Sequence, residues 1–302
     1  RQRRESLLDQ DTQSEDEEIS SALSNERFDN VEGLKKNVQV LNLSKSFGNL
    51  KAVDSISFPV YEKQILCLLG HNGAGKTTTI NMLTGLLKPD HGDVLYDGTS
   101  MFTNIQEART KIGFCSQTDI LFAKFTAREH LELIARLRRL TEEEVKEAVD
   151  DTIKKLSLHD EEHKYTEQLT SGSKRKLSLA MAIVGKIKAV FLDEPTSGMD
   201  PQNRRMIWKH IKELKHFGLA LLMTTHHLDE AEELADRIAI MSKGKLLALG
   251  RSEFMKKNFG VGYHLTVIPN YSVNQKGNFA RLAPEIERIV LETIPDSKRV
   301  AQ

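Results

Sequence analysis

The sequence predicts an α/β fold in which helices cover the faces of a mixed β-sheet. Between residues 38 and 249, short β-rich runs alternate with helical stretches, which is the pattern of such a sheet. Three runs, QILCLLG, KAVFLDE and GLALLMTTH, are almost continuously apolar, as expected of strands buried on both faces. Residues 127–169 interrupt the alternation and are predicted to be helical throughout, with Thr141 and Glu144 forming a capping box. We therefore expect an α/β body with an all-helical insertion and an antiparallel β edge.

Composition limits the classes of function that the chain can have. The 302 residues include 43 Lys and Arg and 43 Asp and Glu, and this balance argues against a nucleic-acid binder that holds phosphates by bulk charge. Cys67 and Cys115 lie in apolar runs and are predicted to be buried thiols, with no disulfide or zinc framework. No apolar run reaches the roughly 18 residues of a membrane span. Because the chain begins at Arg1, we expect it to be a piece of a longer protein.

Three segments are predicted along the chain. Residues 1–36 are charged, rich in serine and poor in branched apolar residues, as is typical of a flexible linker. Residues 37–255 form the α/β body, and its helical subdomain spans about residues 118–180. Residues 256–302 form a C-terminal segment, in which a short helix is expected to end at Phe259 and the strand-like run GYHLTVI follows.

A phosphate-binding loop is predicted between the first buried strand and the helix that follows it. The run GHNGAGKTT, residues 70–78, fits the pattern G-x-x-x-x-G-K-[ST] in the strand–loop–helix context that this pattern requires. Glycines let main-chain N–H groups point at the β-phosphate, Lys76 reaches between the β- and γ-phosphates, and Thr77 offers a hydroxyl to Mg²⁺. The candidate nucleotide-binding residues of the loop are Gly70, His71, Asn72, Gly73, Ala74, Gly75, Lys76, Thr77 and Thr78.

The run AVFLDEP supplies the second half of a nucleotide site. Neighbouring side chains on a strand point to opposite faces, so Asp193 and Glu194 can serve one site only where the strand ends and the chain turns. We expect Pro195 to make that turn. Asp193 can then hold Mg²⁺ through water, and Glu194 can face the attacking water as general base or orienter.

Two further catalytic candidates follow other strands. Gln117, in CSQTD, stands at the border between the sheet and the helical insertion, where its amide can reach Mg²⁺ or the attacking water. His226 ends the strand LLMTT and is placed to touch the γ-phosphate, although His227 is a rival for that role. The run SGMD, which ends at Asp200, is expected to orient groups across a subunit interface.

A polar segment, EQLTSGSKRK, leads directly into an amphipathic helix. A helix N-terminus with small hydroxyl residues, a glycine and cations behind it binds anions, so Thr170, Ser171 and Gly172 are candidate phosphate contacts. The alternative is an ordinary N-cap, in which Thr170 or Ser171 satisfies main-chain donors at the helix start. If the backbone at Ser171 needs a positive φ, its Cβ weakens the site.

Together and in this order, these motifs resemble those of an ATP-binding cassette (ABC) domain, a P-loop NTPase of the ABC ATPase type. The resemblance covers residues 38–250. The runs GHNGAGKTTT, DILF, REHLELIARL, KRKLSLAMA, TTHHLDEAEELADRIAIMSKGKL and FGVGYHLTV are similar to those of the A subfamily of ABC transporters, most of all to the first of its two cassettes, which a small regulatory domain follows.

The resemblance implies a function and partners. It implies Mg²⁺-dependent ATP hydrolysis in a head-to-tail pair with a second cassette, in which Thr170–Gly172 occupy the signature loop that faces the partner's ATP. It further implies that Phe47 and Val53 contact adenine and ribose, and that residues 256–302 begin the regulatory domain. Transmembrane domains and a lipid substrate are also implied, with the cassette at the cytosolic face of a membrane and without nucleic acid.

Two alternatives stay open at this stage. One is a soluble ABC protein of translation or DNA maintenance, although this neutral chain lacks the basic surface or long coiled-coil insertions expected of it. The other is a cassette that binds ATP structurally with slow turnover. Glu194 and His226 argue against slow turnover at this chain's own site, whereas Ser171 and Ser173, which replace glycine and Gln or Met in the signature loop, favour it at the partner's.

Overall fold

The structure, a computed structural model, describes residues 33–259 and 288–289. The chain divides into two compact units, Arg1–Phe259 and Gly260–Gln302, and every element below belongs to the first. Most of the predicted linker and regulatory segment, with the run GYHLTVI, lies outside the described residues. The boundaries of those segments therefore stay predictions.

The centre of the first unit is a six-stranded mixed sheet. Its strand order is β10-β9-β3-β8-β7-β6, with β9, β3, β8, β7 and β6 parallel and β10 antiparallel to β9. The strands are β3 (Ile65–Leu69), β6 (Ile112–Cys115), β7 (Ala189–Asp193), β8 (Ala220–Thr225), β9 (Arg237–Ser242) and β10 (Lys245–Gly250). The three runs that the sequence predicts as buried strands are β3, β7 and β8, and β7 and β8 are buried at every residue. Parallel strands place their carboxyl ends at one edge, so the ends of β3, β7 and β8 lie side by side.

A second, antiparallel sheet packs against the first. Its order is β2-β1-β4-β5, formed by β1 (Lys36–Phe47), β2 (Leu50–Tyr61), β4 (His91–Tyr96) and β5 (Thr99–Ser100). One apolar core joins the two sheets, and within it Tyr96 meets Phe191 edge to face at 6.0 Å. The predicted antiparallel β edge is thus a sheet of its own, and the predicted α/β class is confirmed.

The described part of the chain contains eight α-helices. They are α1 (Lys76–Leu83), α2 (Ile105–Thr110), α3 (Ala127–Leu137), α4 (Glu142–Lys155), α5 (Ser171–Ile183), α6 (Pro201–His216), α7 (Leu228–Leu234) and α8 (Ser252–Phe259). The short helix predicted through Phe259 is α8. None of the described helices combines the length and apolar character that a membrane span needs.

The predicted helical subdomain, residues 118–180, contains α3, α4 and most of α5. The capping box of Thr141 and Glu144 at the start of α4 is confirmed, and a second one, of Thr126 and Glu129, begins α3. The expectation that residues 127–169 are helical throughout is wrong between α4 and a short 3₁₀ turn at Thr166–Gln168. Ser157 takes a left-handed φ of 50°, and the N–H of Leu158 donates back to Ile153, which ends α4.

Both cysteines are free and buried, as the sequence predicts. Cys67 lies within β3 and Cys115 ends β6. Burial, which disfavours the thiolate, raises the pKa of Cys115 to about 11 and raises that of Cys67 still further. The thiols therefore stay protonated and act as small apolar groups of the core.

Candidate active site

The loop between β3 and α1 depends on glycines for its shape. Gly75 caps α1 with a left-handed φ of 104°, and a Cβ there would collide with the carbonyl of Ala52. A Cβ on Gly70 would collide with the carbonyl of Met241. The main chain at Gly70 and Gly75 is thus packed against β9 and β2 too closely for larger residues. The loop leads into the N-terminus of α1, where the helix dipole favours an anion.

Lys76 lies within the curve of this loop. It is 5% exposed, and its Nζ donates to the carbonyls of Gly70 at 2.7 Å and His71 at 3.1 Å. The same Nζ lies 3.8 Å from Glu194 Oε1. Thr77, the next residue, is exposed. A buried ammonium and an accessible hydroxyl at a helix N-terminus are the groups that a nucleotide phosphate and its metal ion require.

A bend of the backbone at the end of β7 directs the carboxylates of Asp193 and Glu194 to different places. Glu194 has a left-handed φ of 42°, so the chain already bends at Glu194. Pro195 follows in the turn that the sequence predicts, which is closed by a hydrogen bond from Ser197 N to the carbonyl of Glu194 at 3.1 Å. A residue other than glycine with a left-handed φ is strained by about 1–2 kcal/mol. Thr224 of β8 holds the arrangement: its hydroxyl donates to Asp193 Oδ1 at 2.6 Å and accepts from Glu194 N at 3.0 Å.

Glu194 is where the predicted catalytic residues meet. Gln117 Nε2 donates to Glu194 Oε2 at 3.2 Å and lies 3.4 Å from Ser197 Oγ. His226 Nδ1 donates to Glu194 Oε1 at 3.2 Å. His226 follows β8 and Gln117 follows β6, so the parallel sheet brings them to the ends of the same strands. The contact to Glu194 favours His226 over its rival His227, whose ring packs 4.1 Å from that of His226.

The oxygen groups of the site suit a hard divalent cation. Asp193, Thr77 and Gln117 offer a carboxylate, a hydroxyl and an amide oxygen, which are ligand types that Mg²⁺ accepts. Among the described residues, no three His, Cys, Asp or Glu side chains are grouped to hold a metal by themselves. The carboxylate, hydroxyl and amide oxygens fit Mg²⁺ bound together with a nucleotide phosphate, because Mg²⁺ commonly takes one or two carboxylates and completes its shell with phosphates and water.

The polar segment before α5 is built as an N-cap. Thr170 Oγ1 accepts from Ser173 N at 3.2 Å, which is the alternative that the sequence analysis left open. Ser171 is the first helical residue and is not among the residues of positive φ, so the condition under which its Cβ would be strained is not met. Thr170 and Ser171 are both exposed at the open end of α5. A capped helix N-terminus still presents N–H groups to an anion, so the two interpretations are compatible.

Gly172 has a packing role beside any role toward a ligand. A Cβ on it would collide with Oδ1 of Asn203, at the start of α6. Asp200 caps α6 by accepting from the N–H groups of Gln202 and Asn203, and these hydrogen bonds, led by that from Asn203, lower the pKa of the Asp200 carboxyl. Asp200 is thus a structural cap here, and its expected role across a subunit interface stays a prediction.

The two residues expected near adenine and ribose differ in accessibility. Phe47, at the end of β1, is 50% exposed, and Lys45 lies 5.9 Å over its ring. Val53 is fully buried and packs beneath Gly75. Its side chain therefore supports the loop and offers no exposed surface to a ribose, whereas the ring of Phe47 is open to stacking.

The comparisons with known proteins agree with this geometry. Residues 53–197 match the model of the ABC transporter family, and that stretch runs from β2 through the phosphate loop to the turn after Asp193 and Glu194. The chain belongs to the ABC transporter family. It is an ABC-type ATPase domain, and its fold is the P-loop fold of such cassettes.

Curated relatives of this ABC cassette belong to the A subfamily. It is 40% identical over 262 residues to ATP-binding cassette sub-family A member 2 of Homo sapiens, covering 84% of this chain and 11% of the relative. It is 42% identical over 257 residues to the retinal-specific phospholipid-transporting ATPase ABCA4 of Mus musculus, with 84% and 11% covered. It is 38% identical over 288 residues to the phospholipid-transporting ATPase ABCA3 of Homo sapiens, with 94% and 16% covered. The chain thus spans a small part of each of these relatives.

Solved structures of other cassettes share the fold. An ATP-binding cassette of an ABC transporter in its ADP conformation aligns with a TM-score of 0.66 and 27% identity, over 75% of this chain and 95% of that one. An ATP-binding subunit of an ABC transporter aligns with the same TM-score at 26% identity, over 74% and 93%. The cassette fold therefore accounts for most of the described residues.

Proposed function

We propose that this cassette hydrolyses ATP with Mg²⁺ and that the energy drives lipid transport through membrane domains. The observation that carries the hydrolytic proposal is the convergence of Lys76, Gln117 and His226 on Glu194. The lipid substrate is supported by two relatives that are named phospholipid-transporting ATPases. The A-subfamily relatives also disfavour a soluble ABC protein of translation or DNA maintenance.

The phosphate loop and Lys76 bind the nucleotide. Main-chain N–H groups of residues 70–78 receive the phosphates, and Lys76 exchanges its carbonyl partners for oxygens of the β- and γ-phosphates. Thr77, Asp193 and Gln117 would hold Mg²⁺, which neutralises charge on the phosphates when it is bound. Thr224 keeps the Asp193 carboxylate in place for this role.

Glu194 acts as the general base. One of its oxygens accepts a proton from water, the water oxygen bonds to the γ-phosphorus, and the bond from the γ-phosphorus to the bridging oxygen of ADP breaks. His226 and Gln117 each hydrogen-bond a different oxygen of Glu194 and so fix the plane of the carboxylate. Such proton handling typically contributes 10²–10⁴-fold to the rate.

The exposed end of α5 serves a second cassette. Thr170 and Ser171 are exposed at the N-terminus of α5, a position suited to the phosphates of a partner's ATP. In a head-to-tail pair, each cassette closes the nucleotide site of the other, and that closure moves the membrane domains at the cytosolic face. We further propose that this is the first of two cassettes and that residues 256–302 begin a regulatory domain.

Substitution of Lys76 and Glu194 in the full-length transporter tests the hydrolytic proposal. We expect Lys76→Ala to remove most ATP binding, because the buried ammonium is lost from the phosphate loop. Glu194→Gln should leave binding within about threefold and slow hydrolysis by about 10²-fold or more, because the amide cannot take the proton. Glu147→Gln, on the exposed face of α4, is the control and should behave as wild type.

Titration with labelled ATP and single-turnover assays separate the possible outcomes. Unchanged ATP affinity in Lys76→Ala would remove the nucleotide assignment. Wild-type turnover in Glu194→Gln would place the base elsewhere. Slow turnover in the wild type, with intact binding, would instead support a cassette that binds ATP structurally.

A further inference from the structure

Arg175 is a buried cation of α5 whose hydrogen bonds leave its own helix. It is 4% exposed, and its guanidinium reaches two loops of the sheet. Nε donates to the carbonyl of Pro195 at 2.6 Å, and Nη1 donates to the carbonyl of Ser116 at 2.7 Å and to Asp119 Oδ1 at 3.0 Å. The planar guanidinium with its five N–H donors can make these bonds at once, which an ammonium cannot do in that geometry.

The two loops are the ones that carry the catalytic groups. Ser116 directly precedes Gln117, and Pro195 directly follows Glu194. The bonds from Arg175 go to main-chain carbonyls of both neighbours, so they fix the path of the backbone at each side of the Gln117–Glu194 contact. A shift of α5 relative to the sheet must therefore move or break the backbone contacts of both loops.

A second contact holds the other end of α5 on the sheet. A Cβ on Gly113 of β6 would collide with the carbonyl of Ala182, so strand and helix lie in direct backbone contact there. Arg175 is the second attachment point, near the exposed N-terminus of α5. With the C-terminal end fixed on β6, tilting of α5 at its N-terminus strains the Arg175 bonds, which are the ones that reach the loops of Gln117 and Glu194.

We infer that Arg175 is a positioning residue that couples the N-terminus of α5 to Gln117 and Glu194. The inference rests on the proposed function, in which Thr170–Gly172 at that N-terminus face ATP bound to the partner cassette. Binding of the partner's ATP at α5 is then transmitted to the base and the amide of this chain's own site. Arg175 thus links the two nucleotide sites of the pair without touching either nucleotide.

The remaining nitrogen of Arg175, Nη2, is available to bond a new acceptor. It is buried and has no hydrogen-bond partner among the described residues. Buried donors normally have a hydrogen-bond acceptor. A guanidinium with an unbonded nitrogen can gain an acceptor when the surrounding loops move. Asp119, already bonded through Oδ1, has a second oxygen to offer.

Lys176, the next residue, is a matched control. It is 8% exposed and also a cation of α5, but its Nζ donates to the carbonyl of Ser157 at 2.9 Å and to Glu161 at 3.3 Å. Both partners lie between α4 and α5, within the insertion and away from the loops of Gln117 and Glu194. Glu161 Oε1 also accepts from Ser173 Oγ at 3.0 Å. Loss of Lys176 removes a buried cation of the same helix and leaves the two catalytic loops bonded to Arg175.

The experiment compares Arg175→Met, Arg175→Lys and Lys176→Met in the full-length transporter. Hydrogen–deuterium exchange is read for residues 113–119 and 194–200, and ATP turnover is resolved for each nucleotide site. We expect Arg175→Met to raise exchange in both loops about tenfold and to slow turnover at both sites about tenfold, with ATP affinity within threefold. Arg175→Lys should behave like Arg175→Met, because one ammonium cannot hold both loops. Lys176→Met should leave hydrogen–deuterium exchange in both loops unchanged.

Three results would overturn the inference. The first is unchanged exchange in Arg175→Met, and the second is an equal effect of Lys176→Met at equal thermal stability. The third is full rescue by Arg175→Lys, which would show that the buried charge matters and the two-loop link does not. Absence of turnover in the wild type would instead contradict the proposed function, and the exchange data would still decide whether Arg175 holds both loops. If Arg175→Met does not fold, the exchange and turnover of Arg175→Lys test the inference instead.

Discussion

Glu194 combines a catalytic role with a strained backbone. Its φ of 42° is one that glycine adopts freely, but glycine would remove the carboxylate. The hydrogen bond from Glu194 N to Thr224 Oγ1 holds the residue in this conformation. Strain of this kind persists where the surrounding structure fixes it, and here it turns the carboxylate away from Asp193 toward Lys76, Gln117 and His226.

Gly172 allows a residue-level test of its packing role. We predict that Gly172→Ala destabilises the fold by about 1 kcal/mol, because the added Cβ overlaps Asn203 Oδ1 and displaces an amide that donates to Asp200 Oδ2. This loss exceeds the gain from the higher helix propensity of alanine. The measurement is urea unfolding followed by circular dichroism. Asn203→Ala removes the overlapping group, so we expect the double variant Gly172→Ala/Asn203→Ala to recover stability relative to the sum of the single variants. Additive losses would show that Asn203 does not set the constraint.

Sequence reasoning found the residues that bear chemistry and missed those that position them. Lys76, Asp193 and Glu194 stand in a pattern whose spacing reflects contact with a phosphate. Thr224 and Arg175 carry no such local signal, because their partners lie 30 or more and 20 or more residues away along the chain, respectively. A cation in an amphipathic helix is usually a solvated residue, and only the packed structure shows that Arg175 is enclosed.

At the scale of elements, a histidine of α3 holds the loop that precedes this helix. His130 is buried, its Nε2 accepts from the N–H of Phe122 at 2.8 Å, and its Nδ1 therefore carries the proton that it donates to the carbonyl of Thr126. Phe122 and Phe125 pack around the ring, at 5.8 and 5.5 Å. A second proton on the ring would remove the acceptor for Phe122, so the loop before α3 requires the neutral form.

This histidine predicts how stability depends on pH. Burial lowers the pKa of His130 below its ordinary value near 6.5, so between the two pKa values the unfolded chain binds more protons than the folded chain. Stability should therefore fall as the pH falls through 6.5 toward the folded pKa. We expect His130→Gln to be less stable at pH 7.5 and to show a flatter pH dependence between pH 7.5 and 5, measured by urea unfolding.

An exposed histidine provides the control for that measurement. The side chain of His163 is 80% exposed, so His163→Gln should keep the wild-type slope. An unchanged slope in His130→Gln would assign the pH dependence to other groups.

The elements that the sequence predicted well are those with one dominant pattern. β3, β7 and β8 are continuous apolar runs, and α4 begins at a capping box. The separate antiparallel sheet was expected only as an edge, because β1 and β2 pair with several register shifts that break strict alternation. The break after α4 depends on the left-handed φ of Ser157, for which the sequence gives no glycine or asparagine as a signal.

On the scale of the whole molecule, the proposed function gives the cassette half of each composite site. Its phosphate loop and its α5 N-terminus are separate surfaces, and each needs a complement from a second cassette under the proposed function. We predict that the isolated chain is mostly monomeric and a poor ATPase, with a rate per chain that rises with protein concentration. Sedimentation and ATPase assays over a hundredfold concentration range measure this. A fast rate that is independent of concentration would favour a self-sufficient enzyme.

The partners of Lys76 also bear on how the site empties. A buried ammonium that lost its phosphate and found no acceptor would carry a large desolvation penalty, and that penalty would oppose product release. Here the carbonyls of Gly70 and His71 stand within hydrogen-bond reach of Nζ, so the lysine has acceptors when ADP departs. The loop that binds the nucleotide thereby reduces the cost of releasing ADP. This favours repeated turnover over retention of the product.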